Sequence, residues 1–171
     1  MTDQRERISL CGRERLSDLL RRSGRLRITV MGIGGFGGGI GAAGYFAGRG
    51  DMVTVTDLKP DTKLGAAKAA LAELPLVWQV GGHDERDFEA ADLIVASPAV
   101  PRWNHFLRTA AAAGVPITSE MNLFLTLCPA RIAAVTGSNG KSTTTALLAH
   151  MAARGAERCL LGGNIGTSLL P

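Results

Sequence analysis

Residues 27–37, RITVMGIGGFG, run an apolar segment of strand length straight into glycines at positions 32, 34 and 37. No other feature constrains the fold as much. A strand that ends on G-x-G-x-x-G requires a tight turn and a helix lying close above it. Asp57 ends the next apolar run, twenty residues past Gly37. In that setting glycines let the backbone approach a pyrophosphate at a helix's positive end, and an acidic residue at the second strand's end accepts hydrogen bonds from a ribose or base. The direct expectation is a dinucleotide such as NAD or FAD; the bland alternative is a turn that only packs helix against strand. Gly38, Gly39, Gly41 and Gly44 follow in the same helix. Each interior glycine costs about 1 kcal/mol relative to alanine, so close packing is expected to compensate.

The rest of the chain repeats that rhythm. Segments 27–32, 52–57, 75–81, 92–97 and 115–119 read as strands, rich in Val and Ile and bounded by turn residues. Helical patterns fall at 37–48, 65–74, 85–91 and 103–113. Alternation of this kind specifies an α/β fold, a Rossmann-like parallel sheet with helices on both faces. After a short helix in EMNLFLTLCPA, stopped by Pro129, a second cycle is expected: strand 131–137, helix 140–155 and strand 158–163. The expected division is a basic extension (1–27), a Rossmann-like domain (28–128) and the start of a second domain (129–171). A lone strand–helix–strand cannot bury both faces of its sheet, so the chain reads as a fragment.

The second cycle carries its own loop, TGSNGKSTTT, from Thr136 to Thr145. Backbone N–H groups can surround phosphate oxygens there, Lys141 can neutralise β/γ-phosphates, and a following hydroxyl can ligate Mg²⁺. The full G-x-x-x-x-G-K-[ST] pattern would need glycine at 135, where Val135 stands, so this is a shortened variant. Hydride transfer has no use for such a lysine. Two phosphate-bearing substrates, one activating the other, account for both loops better than a dehydrogenase does.

Charge and composition exclude several other classes. Hydrophobic residues make up 46% and charged residues 20%, as in a core-forming protein. Residues 1–27 hold eight arginines against Asp3, Glu6, Glu14 and Asp18, which accounts for the whole net charge of +4. The surplus belongs to a leading segment and not to a binding face, so nucleic acid is not expected. ERLSDLLRR spaces Leu16, Leu19 and Leu20 for an amphipathic lead-in helix with a solvated face. No run approaches the ~20 apolar residues of a membrane span, and the start resembles neither a signal nor a transit peptide; a cytoplasmic location is expected. Cys11, Cys128 and Cys159 fit reduced thiols, and His83, His105 and His150 are too scattered for a zinc site.

The loop at 136–143 together with three further segments resembles the Mur ligases, ATP-dependent enzymes that extend the peptide of the cell-wall precursor. ASPAVP (96–101) is similar to that family's S-P-G-[VI] turn, with Ala99 in place of glycine. ITSEMNLF (117–124) is similar to its I-S-E-[IL]-[ED]-L-F segment, and GGNIG (162–166) to a segment of the D-glutamate-adding members. GIGGFG also suits the alanine-adding members, which stay open as the alternative. The resemblance covers roughly residues 28–171.

It implies that the first domain holds the UDP end of a sugar nucleotide instead of NAD. Gly34, Gly35, Phe36 and Gly37 would line the diphosphate, Phe36 standing where the family often has threonine. Asp57 and Leu58 would face the uracil, Ser97 would sit near the same nucleotide, and Gly163 and Asn164 would contact the pyrophosphate. A helix cap or turn remains the other reading of Asn164. Gly137, Ser138, Asn139, Gly140, Lys141, Ser142 and Thr143 would hold ATP, with Lys141 as the catalytic cation and Ser142 on Mg²⁺. The implied reaction joins D-glutamate to UDP-N-acetylmuramoyl-L-alanine through an acyl phosphate. The metal-binding and amino-acid-binding parts would lie beyond residue 171, so this chain alone is expected not to turn over.

Overall fold

The computed structural model describes residues 8–33, 37–155, 159–163 and 168–170. The candidates Gly34, Gly35, Phe36 and Asn164 therefore lie outside the described residues. Five parallel strands, β1 (Arg27–Met31), β2 (Met52–Asp57), β3 (Leu76–Val80), β4 (Leu93–Ala96) and β5 (Ile117–Thr118), form one sheet in the order β3-β2-β1-β4-β5. The register sets Ile28 of β1 beside Val53 of β2 on one side and Leu93 of β4 on the other. All five strands fall within the segments expected from sequence.

The seven α-helices among the described residues are α1 (Arg13–Leu20), α2 (Gly38–Gly48), α3 (Gly65–Ala70), α4 (Glu85–Glu89), α5 (His105–Ala112), α6 (Glu120–Leu127) and α7 (Lys141–Ala152), with a short 3-10 turn at Asp61–Lys63. Three begin where a side chain accepts a backbone N–H. Asp84 caps α4 through Arg86 N–H, Asn104 caps α5 through Phe106 N–H, and Ser119 caps α6 through Asn122 N–H.

Alternating residues of the central strands feed two cores, one on each face. On the first face Ile28, Val30, Val53, Val55, Leu93 and Val95 pack in one cluster with Ala42 and Phe46 of α2 and Leu123 of α6. On the second, Met31, Ile94 and Ala96 join Phe88 of α4 and Leu107 and Ala110 of α5. This two-sided burial explains why β4 is apolar at every position. At the sheet's edge, β3 buries only alternate side chains by half and exposes Val77.

The basic leading segment takes part in this architecture. Leu16 and Leu19 of α1, and Leu26 just before β1, are buried in the first core. Cys11 N–H donates to the Ile117 carbonyl at 2.6 Å, and an Arg15 guanidinium N–H donates to the Gly114 carbonyl at 2.9 Å. The arginines of α1 stay on the solvated side, as the leucine spacing requires. Leu19→Ala is expected to cost about 2–3 kcal/mol, at the low end for a buried leucine because slight exposure remains. Urea unfolding measures this, and a loss under 0.5 kcal/mol would place α1 outside the cooperative unit.

The second cycle departs from expectation. Residues 131–136 form no strand and are almost all exposed, and none of residues 159–163 is in a strand. A strand needs a neighbour for its N–H and C=O groups, and none of the described residues pairs with either segment. Among the described residues of that cycle the helix alone is formed, and α7 buries none of its residues. Among the described residues, no helix is long and apolar enough to cross a membrane.

Candidate functional site

The carboxyl ends of β1, β2, β3 and β4 lie along one edge of the sheet, and most described candidates of the first loop gather there. Beyond β1 the chain turns at Gly32, whose φ is +80°. Its N–H donates to the Thr56 carbonyl at 2.8 Å. A β-carbon on Gly32 would stand 3.1 Å from Cβ of Ser97, so the end of β4 lies directly against this turn. Ser97 is half-buried; its N–H donates to the Met31 carbonyl, and its hydroxyl accepts the Ala99 N–H.

Asp57 organises the same edge. Its Oδ2 accepts the Ile33 N–H at 3.0 Å and its Oδ1 accepts the Lys59 N–H at 2.9 Å. The residue is buried, whereas its neighbour Leu58 is exposed. The acidic residue expected to meet a ribose or base thus spends its carboxylate on backbone donors, one from the glycine loop itself. Leu58 is the one of the pair that reaches solvent.

Gly37 precedes α2 with φ +83°, a left-handed conformation that suits glycine. The glycines after it answer the question of their cost. A β-carbon on Gly39 would stand 2.5 Å from the Ile33 carbonyl oxygen and 2.7 Å from that of Gly32, which only glycine permits. Gly41 lies against Ser168, Gly38 against Glu120, and Gly44 against Leu71. The compensating contacts come from the loop, α6 and residue 168 more than from the sheet.

Gly163 and Ser168 both lie near this region. A β-carbon on Gly163 would be 4.0 Å from Cε of Met121 in α6. The Ser168 hydroxyl donates to Glu120 Oε1 at 2.7 Å, and Leu170 packs on the first core. Residues that follow the second loop in sequence are in this way returned to the helices beside the first.

The second loop, Gly137–Thr143, is solvent-exposed. Gly140 has φ +74° and precedes α7 without a side-chain cap, so the first N–H groups of that helix have no side-chain acceptor. The Lys141 ammonium donates to the carbonyls of Gly137 and Ser138, folding over its own loop. Ser138, Asn139, Ser142 and Thr143 are exposed around it. A compact cation, glycine-rich backbone and hydroxyls on a helix's first turn fit a polyphosphate with a divalent metal.

Two polar groups at the sheet edge escaped the sequence reading. His83, considered there only as a metal ligand, follows Gly81 and Gly82 off the end of β3. Its Nδ1 lies 2.5 Å from the Thr56 hydroxyl. Burial pushes its pKa below the ordinary histidine value, with the Asp57 carboxylate opposing. The position just past a third strand's end is the one local signal that could have singled it out. Glu120, the other, sits in a segment noted only for resemblance.

A five-stranded parallel sheet with helices on both faces and a glycine turn after its first strand defines a Rossmann-like α/β architecture, and a lysine-bearing loop that opens a helix follows it in sequence. The family model for the Mur ligase MurD-like N-terminal domain matches residues 26–119, more than half of the chain, and the chain belongs to that family. Curated relatives agree. A UDP-N-acetylmuramoylalanine--D-glutamate ligase of Roseiflexus sp. is 44% identical over 144 residues, covering 84% of this chain and 31% of the relative. An enzyme of the same name from Anaeromyxobacter dehalogenans is 45% identical over 146 residues, covering 84% and 30%. The chain thus spans about a third of the length of the curated relatives it matches.

Among solved structures, the UDP-N-acetylmuramate-alanine ligase MurC of Thermotoga maritima is 29% identical with a TM-score of 0.50, covering 74% of this chain and 29% of that one. The UDP-N-acetylmuramate:L-alanyl-gamma-D-glutamyl-meso-diaminopimelate ligase of Neisseria meningitides superposes with a TM-score of 0.57 at 24% identity, covering 85% and 46%, and supports the fold.

Proposed function

We propose that this chain is the sugar-nucleotide-binding part, with the ATP loop, of a ligase that adds D-glutamate to UDP-N-acetylmuramoyl-L-alanine. One observation carries the reading: Asp57, the acidic residue on which a dinucleotide's ribose would depend, is buried and holds the Ile33 and Lys59 N–H groups. Two of the acceptor positions of that carboxylate are thus committed to the backbone on either side, at Ile33 where the glycine turn begins and at Lys59. The names of the relatives favour D-glutamate over alanine as the amino acid added.

In this reading Gly34, Gly35, Phe36 and Gly37 receive the diphosphate, Leu58 and Ser97 border the nucleoside, and Gly163 with Asn164 completes the pyrophosphate site. Asp57 serves by fixing the loop. Gly137, Ser138, Asn139, Gly140, Lys141, Ser142 and Thr143 hold ATP, and Ser142 is the residue placed for Mg²⁺. Bound metal supplies Lewis-acid stabilisation of phosphoryl charge. Lys141 adds a fixed cation to the same oxygens, which is where most catalysis of such transfers resides. The division between the sugar-nucleotide and ATP parts falls near residues 128–130, and the protein works in the cytoplasm. Thermal unfolding with UDP or with NADH tests the assignment. UDP is expected to raise the midpoint and NADH to leave it unchanged; the reverse pattern would replace the ligase by an oxidoreductase.

A further inference from the structure

The rim formed by the ends of β1, β2 and β3 is held together by a bond that neither glycine loop supplies. Thr56 is fully buried, and its hydroxyl has two neighbours: the Gly82 carbonyl at 3.3 Å and Nδ1 of His83 at 2.5 Å. A hydroxyl carries a single hydrogen, and a carbonyl can only accept. Both contacts become hydrogen bonds only if Thr56 donates to Gly82 and His83 donates from Nδ1. Satisfying both contacts at once requires a proton on Nδ1.

The ring is also held by its surroundings. Phe106 meets it edge-on at 5.0 Å between centroids and Phe88 at 5.9 Å, which roots the imidazole in the second core. On the other side of the turn, the Gly81 N–H reaches the carbonyls of Asp57 at 2.9 Å and Lys59 at 3.1 Å. Residues 81–83 are thus bonded to both sides of the end of β2. Thr56 in turn accepts the Gly32 N–H through its carbonyl. The three strand ends form one bonded rim, with His83 as its outermost clasp.

We propose that His83 is a positioning residue for the nucleoside half of the sugar-nucleotide site, acting through Thr56 to hold the β3 turn against Asp57 and the glycine loop. This rests on the reading of that site as a uridine-nucleotide site. It assigns a function to a histidine outside both phosphate loops, and it separates this residue from Lys141, which serves the other substrate. Asparagine can place an N–H near the Nδ1 position, whereas phenylalanine keeps only the aromatic packing.

Two measurements on the whole chain test the inference. A long-range proton–nitrogen NMR spectrum of the histidines is expected to show Nδ1 of His83 protonated and Nε2 bare; the opposite tautomer, or a mixture, overturns the inference and leaves the ligase reading intact. Calorimetric titration with UDP and, separately, with ATP and Mg²⁺ is then made on His83→Phe, His83→Asn, Thr56→Val and Thr56→Ser. His83→Phe and Thr56→Val are expected to weaken UDP about fivefold to tenfold, the size of one lost hydrogen bond, while ATP affinity stays unchanged. His83→Asn and Thr56→Ser are expected to retain most of the UDP affinity. Unaltered UDP binding in the first pair, or equal losses for UDP and ATP, overturns the positioning role. If the unsubstituted chain takes up no uridine nucleotide while binding ATP, the site reading itself falls and this role with it.

Discussion

Replacing Asp57 by alanine is expected to destabilise the protein by about 3–4 kcal/mol and to reduce uridine-nucleotide affinity more than tenfold. The carboxylate accepts two backbone N–H groups, and a hydrogen bond to a charged acceptor contributes about 1.5–3 kcal/mol. The Ile33 N–H is buried and has its full cost; Lys59 is exposed and its share is discounted, because water can replace the lost acceptor. The affinity loss follows from where Ile33 lies. Its carbonyl and that of Gly32 are the atoms against which Gly39 packs, so the start of α2 is referenced to this loop. Asp57→Asn keeps one acceptor oxygen and is expected to fall midway. Urea unfolding and UDP titration read the two effects; an alanine variant within 1 kcal/mol of the parent would show that the loop does not depend on this carboxylate.

Asp57 also marks the limit of what the sequence disclosed. Its position at the end of a second strand was legible because parallel strands buried on both faces leave near-continuous apolar runs, such as MVTVT and LIVA. The five strands, α2 and the approximate positions of α4, α5 and α6 were legible for similar local reasons, whereas their caps Asp84, Asn104 and Ser119 were not singled out. The use made of Asp57 was not, since a carboxylate at that spacing suits a ribose and a backbone amide equally well. The strands expected at 131–137 and 158–163 failed for a related cause. An apolar run establishes that a segment can be a strand, but pairing requires a partner that local pattern does not reveal.

The polar contacts that complete the rim were hidden by separation along the chain. Thr56 and His83 are 27 residues apart, and Glu120 and Ser168 are 48 apart. Neither pair forms a motif, and each residue alone reads as an ordinary polar side chain. The glycines of α2 show the converse. Their number was visible and their cost calculable, yet it takes the folded chain to bring Ser168, Glu120 and two carbonyls so close.

Lys141→Ala is expected to lower ATP affinity at least a hundredfold and to leave the sheet domain's stability and UDP binding unchanged. Two observations separate these outcomes. First, α7 buries no residue, so nothing in the cores depends on it. Second, the ammonium stands at a helix N-terminus, where a cation is disfavoured by about 0.3–1 kcal/mol. Its bonds to the Gly137 and Ser138 carbonyls offset that penalty, so the two nearly cancel and the alanine variant melts with the parent. Polyphosphate reverses the balance, because anionic oxygens offer the ammonium a charged partner in place of neutral carbonyls; hundredfold corresponds to about 2.7 kcal/mol, within the range of one charge-assisted contact. Lys141→Arg keeps the charge but spreads it over a planar fork that the short loop does not match, so partial recovery is expected. Equilibrium dialysis with ATP and Mg²⁺ measures the series. An alanine variant that retains ATP within threefold would mean that backbone groups alone hold the triphosphate, and the lysine would then belong to the loop's folding and not to its chemistry.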